Sequence, residues 1–206
     1  MPSSRFAPPK HSWSKLGAAL ETFGNIKAKH KRWMNFSPAT PGRGRPLYSH
    51  PVYTVRLSRF LVGKPLSATL KKVAWMYFLR DRGKRLACAE VSIVLGKHKN
   101  ARLSEGPFVK KLFQVIEKLS SDPRAGGRRY ELRSIRLESL HSFCVWLKLR
   151  RQVEYFIPVT SGGASLRAGN WLSRREFTEA LRSEAQRVRD AYERMPNLLK
   201  ARQGVN

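Results

Sequence analysis

The sequence predicts an α+β protein: a small mixed α/β body over residues 51–206, ending in a carboxy-terminal helix, behind an extended basic arm over residues 1–50. Three observations carry that prediction. A chain of 206 residues with 41% hydrophobic and 10% aromatic side chains holds enough apolar surface for burial to offset the entropy of ordering, so a packed core is expected. Helical spacing and strand alternation of apolar residues both occur, in separate stretches. The first 50 residues carry nine Lys and Arg, one acid (Glu21) and six prolines, a composition that suits an arm better than a core.

Within the arm, prolines on both sides bracket one helix over residues 14–34, where Trp13, Leu16, Leu20 and Phe23 recur at helical spacing. Residues 37–51 follow as an extended strap, because proline neither continues a helix nor donates to a ladder. From Pro51 the alternation of Val52, Thr54 and Arg56 with Tyr53, Val55 and Leu57 predicts a strand. Ser67 then caps a predicted helix that runs to the turn at Gly83. Leu70, Val73, Ala74 and Tyr77 form one face of it, and Trp75, Met76, Phe78 and Leu79 fill much of the rest. A helix apolar nearly all round is a central core element, or one whose second face meets a partner protein.

Residues 86–95 predict a buried strand. Pro107 suits the first position of a helix with Phe108, Leu112, Val115, Ile116 and Leu119 on one face. After the basic turn at 123–129, residues 130–137, 143–149 and 153–159 look extended, although the stretch from Ile135 to Phe156 also permits one long helix. Ser173 and Glu176 form a capping box ahead of a stripe of Phe177, Leu181, Val188, Tyr192 and Met195, and Pro196 is expected to stop that helix.

Charge narrows the function. The chain holds 41 Lys and Arg against 14 Asp and Glu, a net +27 with a pI near 11.2. Such a charge repels itself and calls for a polyanion, nucleic acid first and an anionic membrane second. Arginine outnumbers lysine 25 to 16, and guanidinium both binds phosphate bidentately and stacks on bases, which favours RNA. The candidate RNA-binding residues are Lys27, Lys29, Lys31 and Arg32; Arg43 and Arg45; Arg82, Lys84 and Arg85; Lys97 and Lys99; Arg124, Arg128 and Arg129; and Arg174 and Arg175.

Catalytic and metal readings find little. His11, His30 and His50 have no orienting carboxylate nearby in sequence, and Cys88, His98, His141 and Cys144 fit no common zinc spacing. No nucleophile elbow or phosphate loop occurs. The expectation is a protein without catalysis, cofactor, metal or small-molecule substrate. Two distant cysteines make no disulfide framework and point to a reducing compartment. The longest apolar run, residues 73–79, is far short of a membrane span, so no transmembrane insertion is expected.

Three resemblances bear on this. Arg43-Gly44-Arg45-Pro46 resembles the core of an AT-hook, which implies contact with the minor groove of AT-rich DNA; Gly42 stands where that motif has proline, and the flanks are not basic. Alternatively, the glycines let a strap approach RNA phosphates closely. The order α-β-β-β-α from Pro107 to Met195, with Gly162 and Gly163 ahead of the last helix, is similar to that of double-stranded-RNA-binding domains, but Arg174 and Arg175 stand for a lysine pair. The whole chain, with its basic arm, small body and uneven charge, resembles mitochondrial ribosomal proteins. That resemblance implies a structural constituent of the mitochondrial ribosome in the matrix. It would pin ribosomal RNA and dock neighbouring ribosomal proteins on apolar faces such as the one around Trp75 and Phe78. The alternatives are a DNA-binding, RNA-maturation or ribosome-assembly factor, and a basic accessory subunit of a membrane complex.

Overall fold

The computed structural model describes residues 47–80, 86–119, 121–125, 130–149 and 153–202. The helix expected at 14–34 and the strap as far as residue 46 lie outside them. The described residues form an α+β fold with one mixed eight-stranded sheet in the order β4-β3-β2-β1-β5-β6-β7-β8. Its strands are β1 (Tyr48–Val55), β2 (Leu70–Arg80), β3 (Leu86–Val94), β4 (Lys97–Ser104), β5 (Tyr130–Leu137), β6 (Ser142–Leu149), β7 (Glu154–Pro158) and β8 (Leu172–Ser173). The helices are α1 (Leu57–Leu61), α2 (Leu66–Thr69), α3 (Pro107–Leu119) and α4 (Arg174–Arg202). β1 pairs with β5 in parallel, and the other pairs run antiparallel.

The largest correction concerns residues 67–83. Only the short α2 is helical there, and the apolar run lies in the eleven-residue strand β2. A sequence apolar on every side suits a central strand as well as a buried helix, and Val73, Trp75, Tyr77 and Phe78 favour the strand because branched and aromatic side chains fit a pleated surface. β2 lies between β1 and β3 and is covered on both faces. Ala74, Met76 and Phe78 join the core under α3, while Trp75, Tyr77 and Leu79 pack with Ala89 and Val91 on the opposite face. Trp75 and Phe78 are both buried, so the partner-docking face expected around them is core.

β4 was not expected at all. Leu95 and Gly96 have φ of 49° and 73°, the left-handed pair that a two-residue hairpin turn requires, and Val94 pairs with Lys97 across it. Its sequence, KHKNARLS, is polar because it is an edge strand, where cations discourage pairing with another chain.

The three segments read as extended after residue 129 are strands, and the alternative of one long helix from Ile135 to Phe156 does not form. In β6, Phe143, Val145, Leu147 and Leu149 face α3, whereas Cys144 and Trp146 face α4. The α-β-β-β-α order is therefore part of a wider sheet with its two long helices on opposite faces. In α3 the inward face is Val109, Leu112, Phe113, Ile116 and Leu119, rotated from the expected stripe. Phe108 is exposed and meets Phe143 edge-on.

The capping box forms at α4: Ser173 N–H donates to the Glu176 carboxylate at 2.7 Å, and Glu176 N–H donates to Ser173 Oγ at 3.3 Å. Phe177 and Leu181 are buried, but Tyr192 is 64% exposed, so the stripe loses its partner surface before the helix ends. α4 also continues past Pro196 to Arg202; proline removes one donor and bends a helix without forbidding residues beyond it. Gly163 has a φ of +129°, and a Cβ there would overlap the Glu184 carboxylate. Glu184, on α4, accepts from Ser165 N–H and from Arg187, both at 2.8 Å. The glycine pair thus lets the loop close over α4.

Candidate nucleic-acid interface

Strand register decides where the cations gather. Tyr48 sits beside Phe78, Arg80 beside Leu86, Cys88 beside Ser104, Tyr130 beside Leu149, Lys148 beside Glu154 and Tyr155 beside Ser173. Because β1 and β5 are parallel, all these pairs lie toward one end of the sheet. From that end leave the residues preceding β1 and the connections β2–β3, α3–β5 and β6–β7, and there α4 begins.

Of the candidate residues, Arg124, Arg174 and Arg175 are described at this end. Arg124 forms a two-point ion pair with Asp122, at 2.9 and 3.0 Å, and lies 3.9 Å over the Trp171 ring. That hydrogen-bonded guanidinium holds the Asp122 carboxyl below its ordinary range. Trp171 in turn meets Tyr155 edge-on at 5.4 Å, and Glu154, which precedes Tyr155 in β7, is the partner of Arg174 at 3.5 Å. Arg175 pairs with Glu179 at 2.9 Å and stays 86% exposed. The sequence alone implied free arginines at these positions. Each instead has an acid within its own chain, which fixes the guanidinium while leaving part of it open to solvent.

Lys97 and Lys99 are elsewhere. They belong to edge strand β4, and Lys97 is exposed at the hairpin turn on the opposite end of the sheet. Arg56, Arg59 and Lys64, which leave β1 at its far end, share that side. Lys27, Lys29, Lys31, Arg32, Arg43, Arg45, Arg82, Lys84, Arg85, Arg128 and Arg129 lie outside the described residues.

Among the described residues, depressions open on both faces of the sheet. One, of about 550 Å³, lies beside the start of α3 and is lined by Arg102, Arg136, Glu90, His141 and Phe108; there Arg136 is ion-paired with Glu90. Another, of about 250 Å³, lies on the α4 face and has Tyr53, Arg133 and Trp146 among its walls and Lys148, Glu154 and Arg174 toward the basic end. Sequence reasoning passed over Arg133 and Lys148 because each is a single cation within a strand. Their signal was a charge at an inward position of an alternating segment.

Among the described residues, the histidines and cysteines considered for catalysis or metal binding lie apart. His50 was assigned to the arm by sequence, but it lies in β1, fully buried, with Nε2 2.8 Å from Ser134 Oγ. Burial lowers its pKa to about 3, so its imidazole is neutral. Cys88 and Cys144 lie in separate clusters on opposite faces, and burial pushes each thiol up to about 12. Among the described residues no three His, Cys, Asp or Glu side chains group as metal ligands, and no helix is long and apolar enough to cross a membrane. Comparison of the chain with known protein families, with curated proteins and with solved structures gives no match.

Proposed function

We propose that the protein is a structural, non-catalytic RNA-binding constituent of a ribosome, the mitochondrial one by its compositional resemblance, and that it holds ribosomal RNA at the end of the sheet where β1 begins. The observation that carries this is the convergence of strand ends. Arg82, Lys84 and Arg85 lie on the five residues between Arg80 and Leu86, Arg128 and Arg129 just ahead of Tyr130, and Arg43 and Arg45 just ahead of β1. The described cations at that end are Arg124, Lys148, Arg174 and Arg175, and each of these further cations is within four residues in sequence of a described residue there. Phosphate binding needs such a concentration of charge, and a surface made only for solubility does not. Neighbouring ribosomal proteins remain expected partners, although the Trp75–Phe78 face is not the place where they dock.

The test is binding of the full chain to ribosomal RNA over a range of salt, together with cosedimentation with mitochondrial ribosomal particles. If about ten phosphates are neutralised, log K should fall against log salt with a slope of about −7 to −9. A slope near −2, or absence from the particles under low salt, contradicts the reading.

A further inference from the structure

The smaller depression has more structure than a charged surface needs. Arg133 lies with its guanidinium 4.5 Å from the Trp146 ring centroid and 5.6 Å from that of Tyr53, and its Nε donates to Glu131 at 3.0 Å. Trp146 continues the stack downward: Phe156 lies 5.7 Å below it at 13°, and Phe177 of α4 lies 4.2 Å from Phe156 at 7°. The guanidinium therefore lies over a stack of three aromatic rings anchored in the core. Two aromatic contacts and a carboxylate position it, and 14% of the Arg133 side chain is still exposed. A flat, pre-ordered cation is a surface on which a base stacks, with little entropy left to lose.

The surrounding groups suit a nucleotide as well. Lys148 and Arg174 stand on the side nearest the basic end, and the 3.5 Å separation of Arg174 from Glu154 leaves guanidinium donors for an added acceptor. The Trp146 indole N–H is buried without a hydrogen-bond acceptor, and this is uncommon for a native polar group. A space of about 250 Å³ lies below the usual range for small-molecule pockets, about 300–1,000 Å³; it admits one ring system and excludes a duplex.

We propose that this trough on the α4 face takes one unpaired nucleotide of the RNA bound at the end of the sheet, its base laid on the Arg133 guanidinium and its phosphate held by Lys148 and Arg174. The inference rests on the RNA reading and adds to it a preference for single-stranded over paired RNA.

The experiment compares, for the full chain at one salt concentration, the affinity for an unstructured RNA of about twenty nucleotides and for an RNA duplex of about ten base pairs, which offer the same number of phosphates. Base stacking on one platform should favour the single strand about tenfold. Arg133→Met, which keeps the aliphatic stem and removes the plane, should bring single-strand affinity down to the duplex level and leave duplex affinity unchanged. Should that variant fail to fold, judged by its melting temperature, Tyr53→Leu in the half-buried wall serves in its place, and it should at least halve the preference. Equal affinity of the unaltered chain for both RNAs, or a preference that survives the substitution, overturns the trough proposal and leaves the RNA reading standing. Failure to bind either RNA at low salt overturns both.

Discussion

Replacing Leu112 with alanine is expected to destabilise the protein by roughly 2–5 kcal/mol, the range for deleting a fully buried leucine when the cavity only partly collapses. Leu112 is 0% exposed at the centre of the α3 face, in the cluster that joins Val52, Met76, Phe78, Val145 and Leu147. Those neighbours come from three strands of one sheet, which restricts how far the walls can move inward. Chemical denaturation of the full chain measures the change, with Leu95→Ala as the comparison, because Leu95 is 96% exposed at the β3–β4 turn. A loss below about 0.5 kcal/mol for Leu112→Ala would place it on the surface and break the account of the core.

Acid should weaken the fold well above the carboxylate range. The unfolded chain binds a proton at His50 with a pKa of 6.5, whereas burial lowers it to about 3 in the folded protein. Between those values the unfolded state holds more protons, so stability is fully present above the unfolded pKa. It falls as pH drops through the window from 6.5 to about 3, by roughly 1.4 kcal/mol per pH unit at most. Glu184 adds to the fall at lower pH. Burial alone would raise its pKa, but the Ser165 N–H and Arg187 more than offset that and hold it below its ordinary value of 4.5. Its contribution is present above 4.5 and is lost as pH falls through the folded value. The measurement is the denaturation midpoint of the wild type and of His50→Leu at pH 7, 6 and 5. The wild type should decline between pH 6.5 and 5 and the variant should not; a wild type that stays flat from pH 7 to 5 would mean that His50 is not buried as described.

How much of this was legible depended on what each residue faces. β5, β6 and β7 were visible as short apolar-rich segments set off by basic and turn residues, and the Ser173–Glu176 cap because its chemistry is local. β2 was misassigned as a helix because burial on both faces erases the alternation that distinguishes a strand. β4 was invisible for the opposite reason: Lys97, His98, Lys99 and Asn100 form an edge strand with little to bury. The candidate site divides in the same way. Arginine type and number were plain from composition, but their convergence follows from the parallel pairing of β1 with β5, a contact between segments some 80 residues apart that no local pattern encodes. Arg133 became a candidate only when its neighbours Trp146 and Tyr53 came from two other strands.

The central claim is that RNA meets one end of the sheet, and the most direct measurement compares two charge-neutralised variants of the full chain. In one, Arg124, Lys148, Arg174 and Arg175 at the basic end become glutamine; in the other, Arg56, Arg59, Lys64 and Lys97 at the opposite end do. Each removes four cations, so any loss due to total charge alone is matched. For both variants the slope of log K for ribosomal RNA against log salt is measured beside the wild type. If the four residues of the first set each contact a phosphate, its slope should become shallower by about 3, and the second should keep the wild-type slope. Equal changes in the two variants, or a change in the second alone, would contradict the account.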